Sequence, residues 1–168
     1  MSHRSARAVL TARFLSLAIA GAGIACAGMT TTNSTHAIAS LPADTIEARR
    51  LFEENIDAIH KRDRQRYLAT YLHSTTLGRN GASGLELGYD NWSARRDSTW
   101  PDTLVAKNLR VLPISPGVVY GTYCYTVTQH DTTTSGVSER IFVKTSQGWR
   151  IAVTTAFGQP VGQPSQCK

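Results

Sequence analysis

The chain is 168 residues long, 41% hydrophobic and 18% charged, with a formal net charge of +6. These figures fit one ordinary globular domain and exclude a disordered or fibrous chain. Three of the 18 basic residues (Arg4, Arg7, Arg13) and none of the 12 acidic ones lie before position 28, so the remainder carries only +3, too mild for a nucleic-acid-binding face.

The first segment has the form of an export signal. The three arginines make a positive start, residues 14–25 (FLSLAIAGAGIA) are a short apolar run, and Ala25-Cys26-Ala27 is a small-residue cleavage site. The run is too short for a comfortable transmembrane helix, so no membrane span is expected. Cleavage there assigns residues 1–27 to a signal peptide and starts the mature chain at Gly28. The alternative is a lipoprotein signal with a lipid anchor at Cys26, although Gly23 stands where an aliphatic residue is usual. Periplasmic or secreted localisation is expected.

Residues 28–42 are rich in Thr and Ser without periodicity and read as a flexible linker. Asp44 is a candidate N-cap, with Glu47 three residues on. Leu51, Phe52, Ile56 and Ile59 then fall at helical spacing. Asp63 is a candidate cap for a second, shorter helix carrying Tyr67, Leu68, Tyr71 and Leu72. Residues 74–80 read as extended, Asn80-Gly81 as a turn, and residues 89–96 as a third helix that stops before Trp100-Pro101.

Strand-like segments follow. These are residues 104–114, 118–129, 137–145 and 149–157, with a polar turn over 131–136 and turns at Ser115-Pro116-Gly117 and Ser146-Gln147-Gly148. Residues 159–168 form a loose tail. Helices first and strands afterwards indicate an α+β fold, with the N-terminal helices packed in a strongly curved antiparallel sheet. Of the 3 cysteines, Cys26 goes with the leader. Cys124 and Cys167 remain, either a disulfide pinning the tail to a central strand or two thiols that never meet.

These features together resemble the nuclear transport factor 2-like superfamily in its SnoaL-like branch, over about residues 44 to 158. The resemblance rests on the helix, Lys61-Arg62-Asp63 turn and short aromatic helix; on Leu87-Gly88-Tyr89-Asp90-Asn91-Trp92; and on Arg140-Ile141-Phe142-Val143 followed by Gly148-Trp149-Arg150-Ile151. It implies a cone-shaped roll over residues 43–158 with a pocket at the open end. That pocket isomerises steroids or cyclises polyketides in some members and only binds ligands in others.

The resemblance also tests the pocket for chemistry. The catalytic base of the isomerase-like members falls on Arg79, which cannot accept a proton at neutral pH. Their oxyanion-donating tyrosine falls on Asn55, and their protonated acid near Glu139. An enzyme of this kind would need another base, and Asp90 and Glu139 are the candidates. His73, ending the second helix, reads as a helix-terminal residue. The last strand, Val153 to Phe157, has no titratable group.

The expected pocket set is Asn55, Tyr67, Tyr71, Arg79, Trp92, Tyr123, Tyr125, Arg140, Phe142 and Thr155. If Arg140 points inward beside Arg79, the pocket favours an anionic group such as a carboxylate. The competing reading places Arg140 at the surface, paired with Glu139 or Asp131. Trp149, Ile151 and Val153 share one face by period two and read as core.

No metal or cofactor is expected, because the chain has no P-loop, G-x-G-x-x-G, G-x-S-x-G or zinc-spaced cluster. The functional expectation is an exported, non-catalytic, small-molecule-binding domain. The alternatives are an isomerase, lyase or cyclase acting on a small hydrophobic carbonyl compound, and an interaction module that forms homodimers through its sheet.

Overall fold

The computed structural model describes residues 34–94, 100–159 and 167, with side chains from position 42 onward. The expected export signal, with Arg4, Arg7, Arg13 and Cys26, lies outside these residues, as do positions 28–33 of the linker and most of the tail. Three helices precede the main run of strands: α1 Ser34–His60, α2 Arg64–Ala69 and α3 Tyr89–Ala94, with the short strands β1 Gly78–Gly81 and β2 Gly84–Leu87 between α2 and α3. Then come β3 Thr103–Ser115, β4 Val118–Gln129, β5 Thr132–Thr145 and β6 Gly148–Gly158. None of the described helices is long and apolar enough to cross a membrane.

Helix α1 buries Ala48, Leu51, Phe52, Asn55 and Ala58, the one-face spacing that an amphipathic helix requires. It begins ahead of Asp44, so Asp44 does not cap it. Its carboxylate, 4% exposed, instead accepts a hydrogen bond from the Gly117 backbone N–H at 2.8 Å. That bond ties the helix to the β3–β4 turn. The helix stops where Arg62 takes a left-handed conformation, φ 53. Asp63 then caps α2 as expected, accepting from the Arg66 backbone N–H at 3.1 Å.

The strand expected over 74–80 is shorter and later. The Ser74 hydroxyl bonds both the Thr76 backbone N–H (3.1 Å) and the Thr76 hydroxyl (2.9 Å), offering the backbone a local alternative to a ladder. Asn80 and Gly81 stay in β1, and the turn falls at Ala82-Ser83. The polar segment 131–136 is mostly strand. The hairpin turns at His130 (φ 52), and the Thr-rich residues beyond it pair across the ladder. Thr128 bonds Thr133 at 3.0 Å and Thr126 bonds Ser135 at 2.8 Å.

The strands form one curved, unclosed sheet in the order β2-β1-β6-β5-β4-β3. Every ladder is antiparallel except β1–β6, which is parallel, so the sheet is mixed rather than purely antiparallel. The core lies between the sheet's inner face and the helices, with Phe52 edge-on to Tyr123 at 4.7 Å between ring centres. Phe142, Ile151 and Val119 are fully buried there, and such residues each contribute roughly 1.5–3 kcal/mol by leaving water.

A β-bulge interrupts β6. Ile141 opposes Val153, whereas the next residue, Phe142, opposes Ile151, leaving Ala152 as the extra residue. One extra residue reverses the facing of everything beyond it. Trp149 and Ile151 therefore point into the core, but Val153 is 36% exposed on the other face. Cys124, on the outer face of β4, forms a disulfide with Cys167, which pins the tail to a central strand.

Candidate functional site

Beyond the aromatic core the sheet and helices enclose a cavity of about 360 Å³. Its polar floor comes from β1, β5 and β6. The register places Arg79 opposite Thr154 and Arg140 opposite the same Thr154. Directly opposed residues on neighbouring strands share a face, so an Arg–Thr–Arg row crosses the cavity wall. The walls are formed by Tyr67, Tyr71, Tyr123 and Tyr125, with Trp100 and Leu104 among others.

Arg140 is 4% exposed. It donates from Nη1 to the Tyr71 hydroxyl (3.1 Å) and from Nη2 to the Tyr123 hydroxyl (2.9 Å), and its guanidinium lies 5.4 Å from the Tyr123 ring centre. The surface pairing with Glu139 or Asp131 does not occur. Burial opposes the Arg140 charge, but Tyr123 and Tyr71 beside it raise its pKa, so it stays a cation. Arg79 reaches the same cavity from β1. Its guanidinium lies 5.3 Å from the Trp92 ring centre and 3.9 Å from the Glu86 carboxylate across the β1–β2 ladder. The Nε atoms of both arginines are buried with no hydrogen-bond partner.

Tyr71 is the most perturbed phenol. Its hydroxyl bonds Tyr67 at 3.1 Å and accepts from Arg140. Burial pushes its pKa up. The Arg140 charge, then the Arg79 charge and the hydrogen bonds from Tyr67 and Arg140, more than reverse this and lower it to about 8. Tyr67 moves the other way: burial and the neighbouring Tyr71 hold it protonated, against the weaker pull of the arginines.

Six of the residues expected in the pocket line it, namely Tyr67, Tyr71, Arg79, Tyr123, Tyr125 and Arg140. Four do not. Asn55, fully buried, donates from Nδ2 to the Thr70 hydroxyl at 2.7 Å and staples α1 to α2. Trp92, 1% exposed, packs at a tilt against Tyr71 with ring centres 4.5 Å apart and lies under Arg79 without lining the cavity. Phe142 fills the space left by Gly121, where a Cβ would come within 2.7 Å of its ring. Thr155 lies beyond the bulge and faces outward; Thr154 takes the inward place.

Neither candidate acid reaches the cavity. Asp90 is exposed at the start of α3. Glu139 faces the outer side of β5, accepting from the Tyr120 hydroxyl at 2.7 Å and the Thr155 hydroxyl at 3.3 Å. His73 stacks on Tyr89 at 3.8 Å, with no part in the cavity lining. No group of three His, Cys, Asp or Glu residues suited to a metal occurs among the described residues. Ten of the lining residues, Trp100, Leu104 and Thr154 among them, were missed by sequence reasoning.

No family model matches the chain, and no curated protein matches it either. Solved structures do. A nuclear transport factor 2-like protein of unknown function from Shewanella oneidensis MR-1 superposes with a TM-score of 0.60 at 18% identity, over 70% of this chain and 99% of that one. A superfamily protein from Salmonella enterica serovar Typhimurium LT2 gives 0.58 at 16%, over 74% and 99%. One with a cystatin-like fold from Novosphingobium aromaticivorans gives 0.59 at 14%, over 81% and 94%. The fold is therefore that of the nuclear transport factor 2-like proteins. These neighbours do not single out the SnoaL-like branch, and a shared fold at such identity assigns no activity.

Proposed function

We propose that this is an exported protein whose pocket binds a small organic molecule without transforming it. The carrying observation is the makeup of the cavity: about 360 Å³, walled largely by aromatic and aliphatic side chains, with convergent polar groups on one wall. That combination is typical of small-molecule sites. Among the described residues, the lining includes no Asp, Glu or His, the usual proton acceptors of carbonyl chemistry.

A second reading is favoured by one observation only. Tyr71, with its lowered pKa and its bonds to Tyr67 and Arg140, has the form of a proton donor to a carbonyl oxygen, as an isomerase or lyase would use. Homodimer formation is a separate proposal, supported by the exposed Leu112, Ile114 and Val153 on the sheet.

The test is native mass spectrometry of the mature chain recovered from the exported fraction. Extra mass that leaves on denaturation is the expected result. A bare chain that also fails to take up any compound from a metabolite extract overturns the binding reading. Turnover of a carbonyl compound lost in Tyr71→Phe replaces it with the enzymatic one.

A further inference from the structure

We infer that the pocket takes a small monocarboxylate with an apolar body, its carboxylate seated on the row formed by Arg79, Thr154 and Arg140. This rests on the small-molecule reading above and names the class of ligand.

The row is set by strand register. Arg79 and Arg140 are both cross-strand partners of Thr154, two strand spacings or roughly 10 Å apart at the backbone. Both guanidinium side chains line the same cavity, with the short Thr154 side chain between them in the register. Thr154 itself is 5% exposed.

The donors at this floor are incompletely used. Both Nε–H groups are buried without a partner. A buried polar group left unpaired is costly, and a buried cation more so. The Arg140 partners are phenol oxygens, which satisfy donors but carry no full charge while protonated. Among the described residues, no carboxylate pairs with Arg140, so its surroundings suit an added anion. A guanidinium edge offers parallel N–H bonds that match the two oxygens of a carboxylate.

Charge selects among anions. Glu86, opposite Arg79 on β2, lies 3.9 Å from its guanidinium and partly offsets it. Arg79, Arg140 and Glu86 together leave one positive charge. A monocarboxylate brings the set to neutrality, whereas a doubly charged phosphate ester leaves an excess negative charge in a site sheltered from water. The remaining walls near Trp100, Leu104, Val127 and Ile59 offer apolar surface to the rest of the ligand. The cavity's volume suits a body of aromatic-ring or short-branched-chain size.

The probes are benzoate, phenylacetate and hexanoate, each compared with its neutral amide, together with inorganic phosphate. Binding to the mature chain is read by calorimetry and by tryptophan fluorescence, since Trp100 lines the cavity. At least one acid is expected to bind about tenfold or more tighter than its amide, and Arg79→Gln and Arg140→Gln should each erase most of that preference. Circular dichroism checks that each variant folds. If Arg140→Gln does not fold, Arg79→Gln, whose side chain is 22% exposed, carries the test alone.

Acids and amides that bind equally overturn the carboxylate inference while leaving a small-molecule pocket. Phosphate binding more tightly than every acid overturns it in favour of a different anion. Failure of all the acids, with a neutral compound found bound in the native spectrum, also overturns it and again spares the broader reading. Failure of every probe together with a bare native spectrum overturns both.

Discussion

Glu139 and Arg140 are neighbours in the chain and opposites in their surroundings. Glu139 faces the outer side of β5, where the Tyr120 and Thr155 hydroxyls satisfy it close to solvent. Arg140 faces inward, 4% exposed, held by two tyrosine hydroxyls and with Nε unpartnered. On the outer face Glu139 is paired with neighbouring hydroxyls. On the inner face charge has been buried and left short of a partner. In a stable fold that imbalance is tolerated where something else completes it, so the two faces of one strand separate scaffold from the proposed binding site.

The largest contrast is in packing. Phe142→Ala removes a fully buried ring under Gly121 and should cost about 3–5 kcal/mol. Ile141→Ala, on the half-buried outer side, should cost about 1 kcal/mol, in line with less complete removal from water. Urea denaturation of the two variants measures the difference, and equal losses would break the inside–outside distinction. Next in size is the outer-face disulfide. Cys124 and Cys167 are 43 residues apart, and reducing that bridge should lower stability by about 2–4 kcal/mol. Acid binding should persist in the reduced protein, because the bridge lies on the side away from the cavity. Loss of binding on reduction would show that the tail shapes the pocket.

Much of this division was readable in the sequence. Helical spacing from Ala48 to Ile59, the Asp63 cap and the aromatic strands point to the α+β roll, and the pocket tyrosines stand out by chemical type, whereas Arg79 enters through the family resemblance. What could not be read was facing beyond an irregularity. Strict alternation from Trp149 carries Val153 and Thr155 together to one side, and only the bulge at Ala152 moves Thr154 inward. Because a bulge depends on the neighbouring strand's register, it leaves no mark in β6 alone. Asn55 was misplaced for another reason. A buried amide suits a ligand site or a helix staple equally, and Thr70 decides between them by sitting at 2.7 Å. Arg140 was ambiguous because alternation in β5 is clear only once the whole Thr-rich segment is recognised as strand.

A third prediction uses pH. Against burial, the Arg140 and Arg79 charges, with the hydrogen bonds from Tyr67 and Arg140, lower the Tyr71 pKa to about 8, and these three residues are its charged and titratable neighbours. In the unfolded chain a tyrosine ionises near 10. The folded value is depressed, so the unfolded chain holds more protons between those values. The ligand-free protein should therefore gain stability as pH rises above about 8. Tyr67, held protonated by burial, acts in the opposite direction only above the ordinary tyrosine range. Ligand binding has the reverse sign from Tyr71. A phenolate beside Arg140 competes with an incoming carboxylate, so acid affinity should fall about tenfold for each pH unit well above 8. Tyr71→Phe should flatten that fall. A benzoate affinity independent of pH in the wild type would mean that Tyr71 does not share the anion's position.

The smallest expected effect is the control on the outer face. Glu139→Gln keeps an amide oxygen to accept from Tyr120 and removes only the charge. Its stability cost should be about 1 kcal/mol or less, the size of one hydrogen bond near solvent. Acid affinity should change by less than about twofold, because the charge lies across the sheet from the cavity and beside solvent that screens it. Arg140→Gln, one residue along and facing the other way, should abolish the acid preference. Measuring both by the same calorimetric titration makes the comparison direct. If Glu139→Gln instead tightens acid binding as strongly as Arg140→Gln weakens it, the sheet does not insulate its two faces. The anion would then be responding to the net charge of β5 rather than to the buried row of Arg79, Thr154 and Arg140.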